Sequence, residues 1–177
     1  MDEAFIEVLK DGGKSNSLGR SEEVLAEVLQ NNNRLPELYD CISADDAWVR
    51  MRAIDTLEKI LRIHPEWSKP FLDDIFTNLL VVDQPSIQWH LAQIFREVNL
   101  SEGQKVKATD WLSDLLSSTS VDWIVAANSM DTLVQFMDDE LLSKSQLVNL
   151  LTIQLGHKSK SVVKRANKHL EALAKAP

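Results

Sequence analysis

One spacing constrains this chain more than any other feature. Val49, Ala53 and Leu57 stand four residues apart, and so do Ile87, Leu91 and Phe95, and again Val162, Ala166 and Leu170. Residues four apart share one face of an α-helix, so each triplet reads as a buried stripe. In two of the three the middle residue is small, which lets a neighbouring helix approach closely. A fourth register, Asp122, Ala126 and Met130, is irregular, because it puts an acid in the first apolar slot. The starting positions 49, 87, 122 and 162 are separated by 38, 35 and 40 residues. A recurrence near forty residues with two helices per unit marks an α-helical repeat array.

The intervening sequence supplies the first helix of each pair. Helical periodicity runs almost throughout, and no alternating run flanks an Asn-Gly or Asp-Gly hairpin turn. Phe5, Ile6 and Leu9 predict a short helix stopped by Gly12-Gly13. Ser21, followed by Glu22 and Glu23, is expected to cap a second helix, stopped by the Asn31–Asn33 run. Four pairs follow, over 34–43 and 45–63, 67–80 and 85–98, 101–117 and 120–138, and 143–156 and 159–175. Ser101 and Ser143 open two of these helices, and Pro85 sits in the first turn of another. The expected organisation is a capping segment over 1–32 and one continuous repeat array over 33–177. Leu18 and the Val24, Leu25, Val28 and Leu29 stripe are expected to cover the first pair.

Two stretches then support a family resemblance. Asp46-Ala-Trp-Val-Arg-Met-Arg-Ala resembles the HEAT motif, an acid at the inter-helix turn followed by Val-Arg and Ala, and Lys160-Ser-Val-Val-Lys-Arg-Ala is a looser match. The likeness covers about 33–175. With Ser17-Leu-Gly-Arg, Leu38-Tyr-Asp-Cys and Asp83-Gln-Pro-Ser-Ile-Gln-Trp, the chain is similar to small uncharacterised bacterial HEAT-like proteins. The resemblance implies an all-α fold, a short right-handed α-α superhelix of about four helix pairs plus amino-terminal capping helices. It implies no activity. In HEAT arrays the turn acid and the following arginine often bridge neighbouring repeats, which here assigns a structural role to Asp46 and Arg50.

Charge and residue chemistry narrow the function classes. The net charge is −8, but the segment from His157 onward holds Lys158, Lys160, Lys164, Arg165, Lys168 and Lys175 against the single acid Glu171. That segment therefore carries +5 and the first 156 residues carry −13. Such acidity weighs against non-specific nucleic-acid binding. The basic end reads either as the solvated face of a cap or as a local anion site. The four histidines, His64, His90, His157 and His169, have no metal-ligand spacing, and the lone Cys41 has no partner. No phosphate loop or nucleophile elbow is present. The pairs Asp45-Asp46, Asp73-Asp74 and Asp138-Asp139 read as caps and turns. With no cofactor or metal implied, no basic signal peptide and no apolar run long enough for a membrane span, the expected location is cytoplasmic.

The expected function is a non-enzymatic scaffold gripping a protein or peptide partner on its concave face. Counting the first apolar slot of each second helix as zero, slots +2, +3 and +6 are expected to face outward. Six residues drawn from those slots form the candidate groove: Arg52, Trp89, His90, Gln93, Asn128 and Arg165. Trp89 supplies apolar area, the arginines pair with acids, and the two amides bond a partner backbone. A second reading is nucleic-acid binding or repair in the manner of HEAT-like alkylpurine DNA glycosylases, which use a basic cleft with tryptophans and an aspartate. A third, by fold analogy alone, is a HEAT-like lyase or enzyme accessory.

Overall fold

The computed structural model describes residues 3–13, 17–137 and 141–175, and these are helical with no β-strand among them. The helices are α1 (Phe5–Lys10), α2 (Ser21–Gln30), α3 (Leu35–Asp40), α4 (Ala47–Ile63), α5 (Leu72–Asp74), α6 (Pro85–Glu97), α7 (Glu102–Leu116), α8 (Trp123–Met137), α9 (Lys144–Gln154) and α10 (Lys160–Lys175). The Asp138-Asp139 pair lies outside the described residues. No described helix is long and apolar enough to cross a membrane. The chain divides into two compact units, before and after the Pro70–Phe71 junction.

In the first unit, α1, α2 and α3 all pack against α4. Phe5, Val8, Leu9, Val24, Val28, Leu38, Val49, Ala53 and Leu57 are fully buried there. Leu25 and Leu29 are half-buried and Leu18 is exposed, so the covering stripe is narrower than expected. Ser21 is not a cap: Arg20 holds that place, and the buried Ser21 hydroxyl donates to the Leu18 carbonyl. Arg34 lies 3.9 Å over the Phe5 ring and pairs with Glu37, whose Oε1 accepts the Phe5 N–H at 2.8 Å. Asp46 caps α4 by accepting from Trp48 N at 2.7 Å, while Arg50 donates to the Ala44 and Asp45 carbonyls at 2.7 and 2.9 Å. These bonds of the motif pair close their own inter-helix turn.

In the second unit, α6 packs on α8 and α8 on α10, α7 packs on α9, and α7, α9 and α10 each pack on their pair-mates. Second helices thus follow one another in one row and first helices in another. The helix expected over 67–80 is broken. A 3-10 turn at Pro65–Ser68 gives way to the three-residue α5 and then a π-helical turn, Ile75–Leu79. Pro70 lacks the N–H that a continuous helix would need there, and the Thr77 hydroxyl bonds back to the Asp73 carbonyl at 2.7 Å. Phe95 joins the rows, stacked on Phe76 at 5.1 Å and edge-on to Trp111 at 6.0 Å. Ser101 and Ser143 each complete a capping box, with Gln104 and Gln146 respectively.

The third register moves by three residues. Asp122 is not in a core slot but before α8, accepting from Ile124 N at 2.9 Å as Asp46 accepts from Trp48. Aligning these two acids makes Val125, Ser129 and Leu133 the stripe; all three are fully buried, as are Ala126 and Met130 of the expected register, so the shared cap and not burial decides between the two. The starting positions become 49, 87, 125 and 162, with steps of 38, 38 and 37. The small middle slot is then kept by Ser129. Of the expected core residues, Ala53, Leu57, Leu91, Phe95 and Ala166 are buried, and Leu170 is half-exposed.

Candidate functional site

With the corrected register, one rule describes how second helices of the second unit are joined: slot +6 of one reaches slot +3 of the next. Gln93 on α6 is at +6 and donates through Nε2 to Oδ1 of Asn128, at +3 on α8, over 2.9 Å. Asn128 in turn donates to the Ile124 carbonyl at 2.9 Å, which orients its oxygen towards α6. One repeat on, Asp131 at +6 accepts from Arg165 at +3 on α10, and its other oxygen lies 2.8 Å from His169 Nε2. Arg96 of α6 approaches Asp131 at 3.6 Å. The fully buried Thr132 hydroxyl reaches the Ala92 carbonyl across α6 and α8 at 2.7 Å. Burial alone would raise the Asp131 carboxyl, but the His169 hydrogen bond and the charges of Arg165, His169 and Arg96 outweigh it and hold the group below the ordinary carboxylate range.

The first helices and the turns that follow them are braced as well. The buried Gln154 amide donates to the Leu116 and Ser118 carbonyls at 2.8 and 3.0 Å. His157 Nδ1 accepts from Ser159 N at 2.9 Å, so it carries no proton there, and Nε2 donates to the Val121 carbonyl at 2.9 Å.

These bonds displace the expected groove. Arg52 belongs to the first unit and is only 4% exposed. Its guanidinium donates to the Leu9 and Lys10 carbonyls in the last turn of α1 and to the Gly12 and Ser17 carbonyls of the loop that follows. Gly19 permits this approach: with φ +53°, a Cβ there would stand 2.5 Å from the Gly12 oxygen and 3.2 Å from Arg52 Cζ. In the second unit, His90 and Asn128 are 1% and 8% exposed, so neither faces outward. Gln93 is half-buried against Asn128, and Trp89 is half-buried with its ring on that of His90, centroids 3.4 Å apart. Arg165 is exposed but bonded to Asp131. The slot count fails because it considers only the core within a pair. Slots +3 and +6 lie where the next second helix packs. Uncharged polar residues inside helices, such as Asn128 and Thr132, were the available signal, since their modest helix propensity fits a bonding role. Asp131, where Arg96, Arg165 and His169 converge, escaped sequence reading altogether.

A different surface remains open. The outer face of α10 borders an open groove of about 990 Å³ whose lining includes Lys158, Lys160, Lys164, Arg165, Lys168 and Asn167. Elsewhere the cations are mostly paired: Lys10 with Glu7, Arg20 with Glu3 and Glu23, Lys59 with Glu22 and Asp55, Arg62 with Glu58, and Lys105 with Glu102. Among the described residues, no carboxylate comes within ion-pair distance of Lys158, Lys160, Lys164 or Lys168, whereas the buried Arg52, which also has none, is held by backbone carbonyls. The α10 arrangement carries a local cost. Like charges at i, i+4 oppose a helix by roughly 0.2–0.5 kcal/mol per pair. Cations in a first turn also oppose the helix dipole, and α10 has no acid there.

Nothing among the described residues gathers three or more potential metal ligands. Cys41 is buried, donates weakly to the Glu37 carbonyl at 3.3 Å, and has its thiol pushed up to about 11 by burial and by the nearby Glu37 and Asp40 charges. That chemistry suits packing and not nucleophilic attack. No protein-family model matches the chain, and no curated protein or solved structure is significantly similar to it.

Proposed function

We propose that the chain is a non-enzymatic adaptor of HEAT-like architecture that holds a protein or peptide partner on the exposed flank of its second helices. The observation that carries this reading is the allocation of charge. Within the second unit, polar side chains of the second helices join one helix to the next, while Lys160, Lys164 and Lys168 of α10 have no carboxylate within ion-pair distance among the described residues and stand beside an open groove. The regular 38-residue step and the succession of α6, α8 and α10 support the repeat architecture. Solenoids built this way present continuous helical surfaces to partners. A repair or nucleic-acid role has less support, because residues 71–156 of the same unit hold twelve acids against four basic residues, and a phosphate backbone would meet that charge beyond the reach of one basic helix.

The test is affinity capture with the full chain from its native cell, with and without nuclease treatment, read by mass spectrometry and chemical cross-linking. A stoichiometric protein that survives nuclease and cross-links to the second unit is the expected result. Recovery that disappears with nuclease would replace the adaptor with a nucleic-acid binder.

A further inference from the structure

From the α10 groove we infer that the occupant is an acidic peptide segment, lying extended along the helix with carboxylates at alternate positions. This rests on the adaptor reading and deepens it by naming the surface and the chemistry of the partner. The argument begins with spacing. Lys160, Lys164 and Lys168 follow one another at i, i+4, which places them about 6 Å apart along the axis. Alternate residues of an extended strand are about 6.6–6.8 Å apart on one side. Three or four carboxylates in such a segment therefore meet the lysine row nearly one for one, and flexible lysine stems absorb the mismatch. Asn167 adds an amide on the same helix, suited to a peptide carbonyl or N–H.

The groove is also selective by charge. Asp131 and Glu171 line it together with the cations. Asp131 is engaged by Arg165 and His169, whereas the lysines have no carboxylate of their own among the described residues. An incoming carboxylate thus gains unshared cations. A long polyanion would gain the same cations but extend past them over the acidic remainder of the second unit, which favours a short acidic segment over a nucleic acid. The groove is poor in large apolar side chains, Val163 being half-buried at its edge. Binding is accordingly electrostatic, moderate in strength and salt-sensitive.

The test uses the full chain and three probes in fluorescence anisotropy at low salt: a labelled 15-residue peptide with alternating Glu and Ser, the same peptide with Lys for Glu, and a 15-nucleotide thymidine strand. The acidic peptide is expected to bind and the lysine peptide is not. The triple variant K160Q/K164Q/K168Q should weaken the acidic peptide by about tenfold, the sum of three exposed ion pairs. Because these side chains are solvent-facing and repel one another, the variant should keep the wild-type circular dichroism and melt no lower than wild type, and K107Q serves as a remote charge control that leaves binding unchanged. The inference is overturned if the acidic peptide does not bind, if the triple variant binds it as well as wild type, or if the oligonucleotide binds more tightly. A salt-sensitive dimer in sedimentation that the triple variant abolishes would assign the face to a second copy and overturn it too. A native protein partner retained undiminished by the triple variant would refute the groove while leaving the adaptor reading intact.

Discussion

Replacing Arg52 should damage the fold and not a binding surface. Its guanidinium is buried and supplies hydrogen-bond donors to carbonyls of Leu9, Gly12 and Ser17, with Lys10 at the edge of range. Hydrogen bonds from a charged donor each contribute roughly 1.5–3 kcal/mol, and stripping a partner leaves buried acceptors unsatisfied. Water entering the vacated space recovers part of that loss. Taking the low end for three bonds, Arg52→Met should cost about 3–5 kcal/mol, against a total stability of about 5–15 kcal/mol for an ordinary domain. Methionine keeps much of the aliphatic volume, so the loss reports on the donors. Arg52→Lys, a single point charge with no planar fork, should recover only part. The assay is urea denaturation followed by circular dichroism, together with hydrogen exchange at the α1 amides, which should accelerate more than those of α8. Stability within about 0.5 kcal/mol of wild type, with α1 protection unchanged, would refute the carbonyl cage as a structural element.

Three further outcomes follow from the second unit and from the buried thiol. Ser129→Leu fills the small slot of the corrected register and should cost about 1–3 kcal/mol by overpacking; a neutral result in denaturant titration would return the register to Ala126. Asp131→Asn should lose about 1–2 kcal/mol near pH 6. Because the folded carboxyl titrates below its unfolded value of about 4, the wild-type advantage is fully present above that pH and is lost as pH falls through the lowered value, so the gap between the thermal melts of the two proteins should shrink as pH drops below about 4, and a gap that does not change with pH would contradict the ion cluster. Cys41, with its thiol raised to about 11, should be thiolate in roughly one molecule per thousand at pH 8 and react with a disulfide reagent only after unfolding; rapid release from the native chain would contradict its burial.

Much of the helical layout was legible because its signals are local. Gly12-Gly13 stopped α1, Ser101 and Ser143 announced their capping boxes, and Pro85 opened α6. The third register was misread because an aspartate at the turn and an apolar residue in the stripe were treated as interchangeable starting points; recognising Asp122 as the equivalent of Asp46 would have given the even step. The segment around α5 was misread because its apolar spacing says nothing of the break after Pro70. Three of the six candidate groove residues are covered for a longer-range reason. Arg52, His90 and Asn128 occupy slots that avoid the core of their own pair, and sequence does not show that a neighbouring element covers them. The lysines of α10 were visible as a basic run, but whether each had an acid beside it depended on how Asp131 and Glu171 are placed.

The most direct test of the account is a titration of the isotopically labelled chain with the alternating Glu-Ser peptide, followed by amide ¹H–¹⁵N spectra. The predicted result is a saturable set of shifts confined to Lys158–His169, with the Trp89 indole and Gln93 amide unmoved. Shifts centred on α6, or scattered over the chain without saturation, would contradict it.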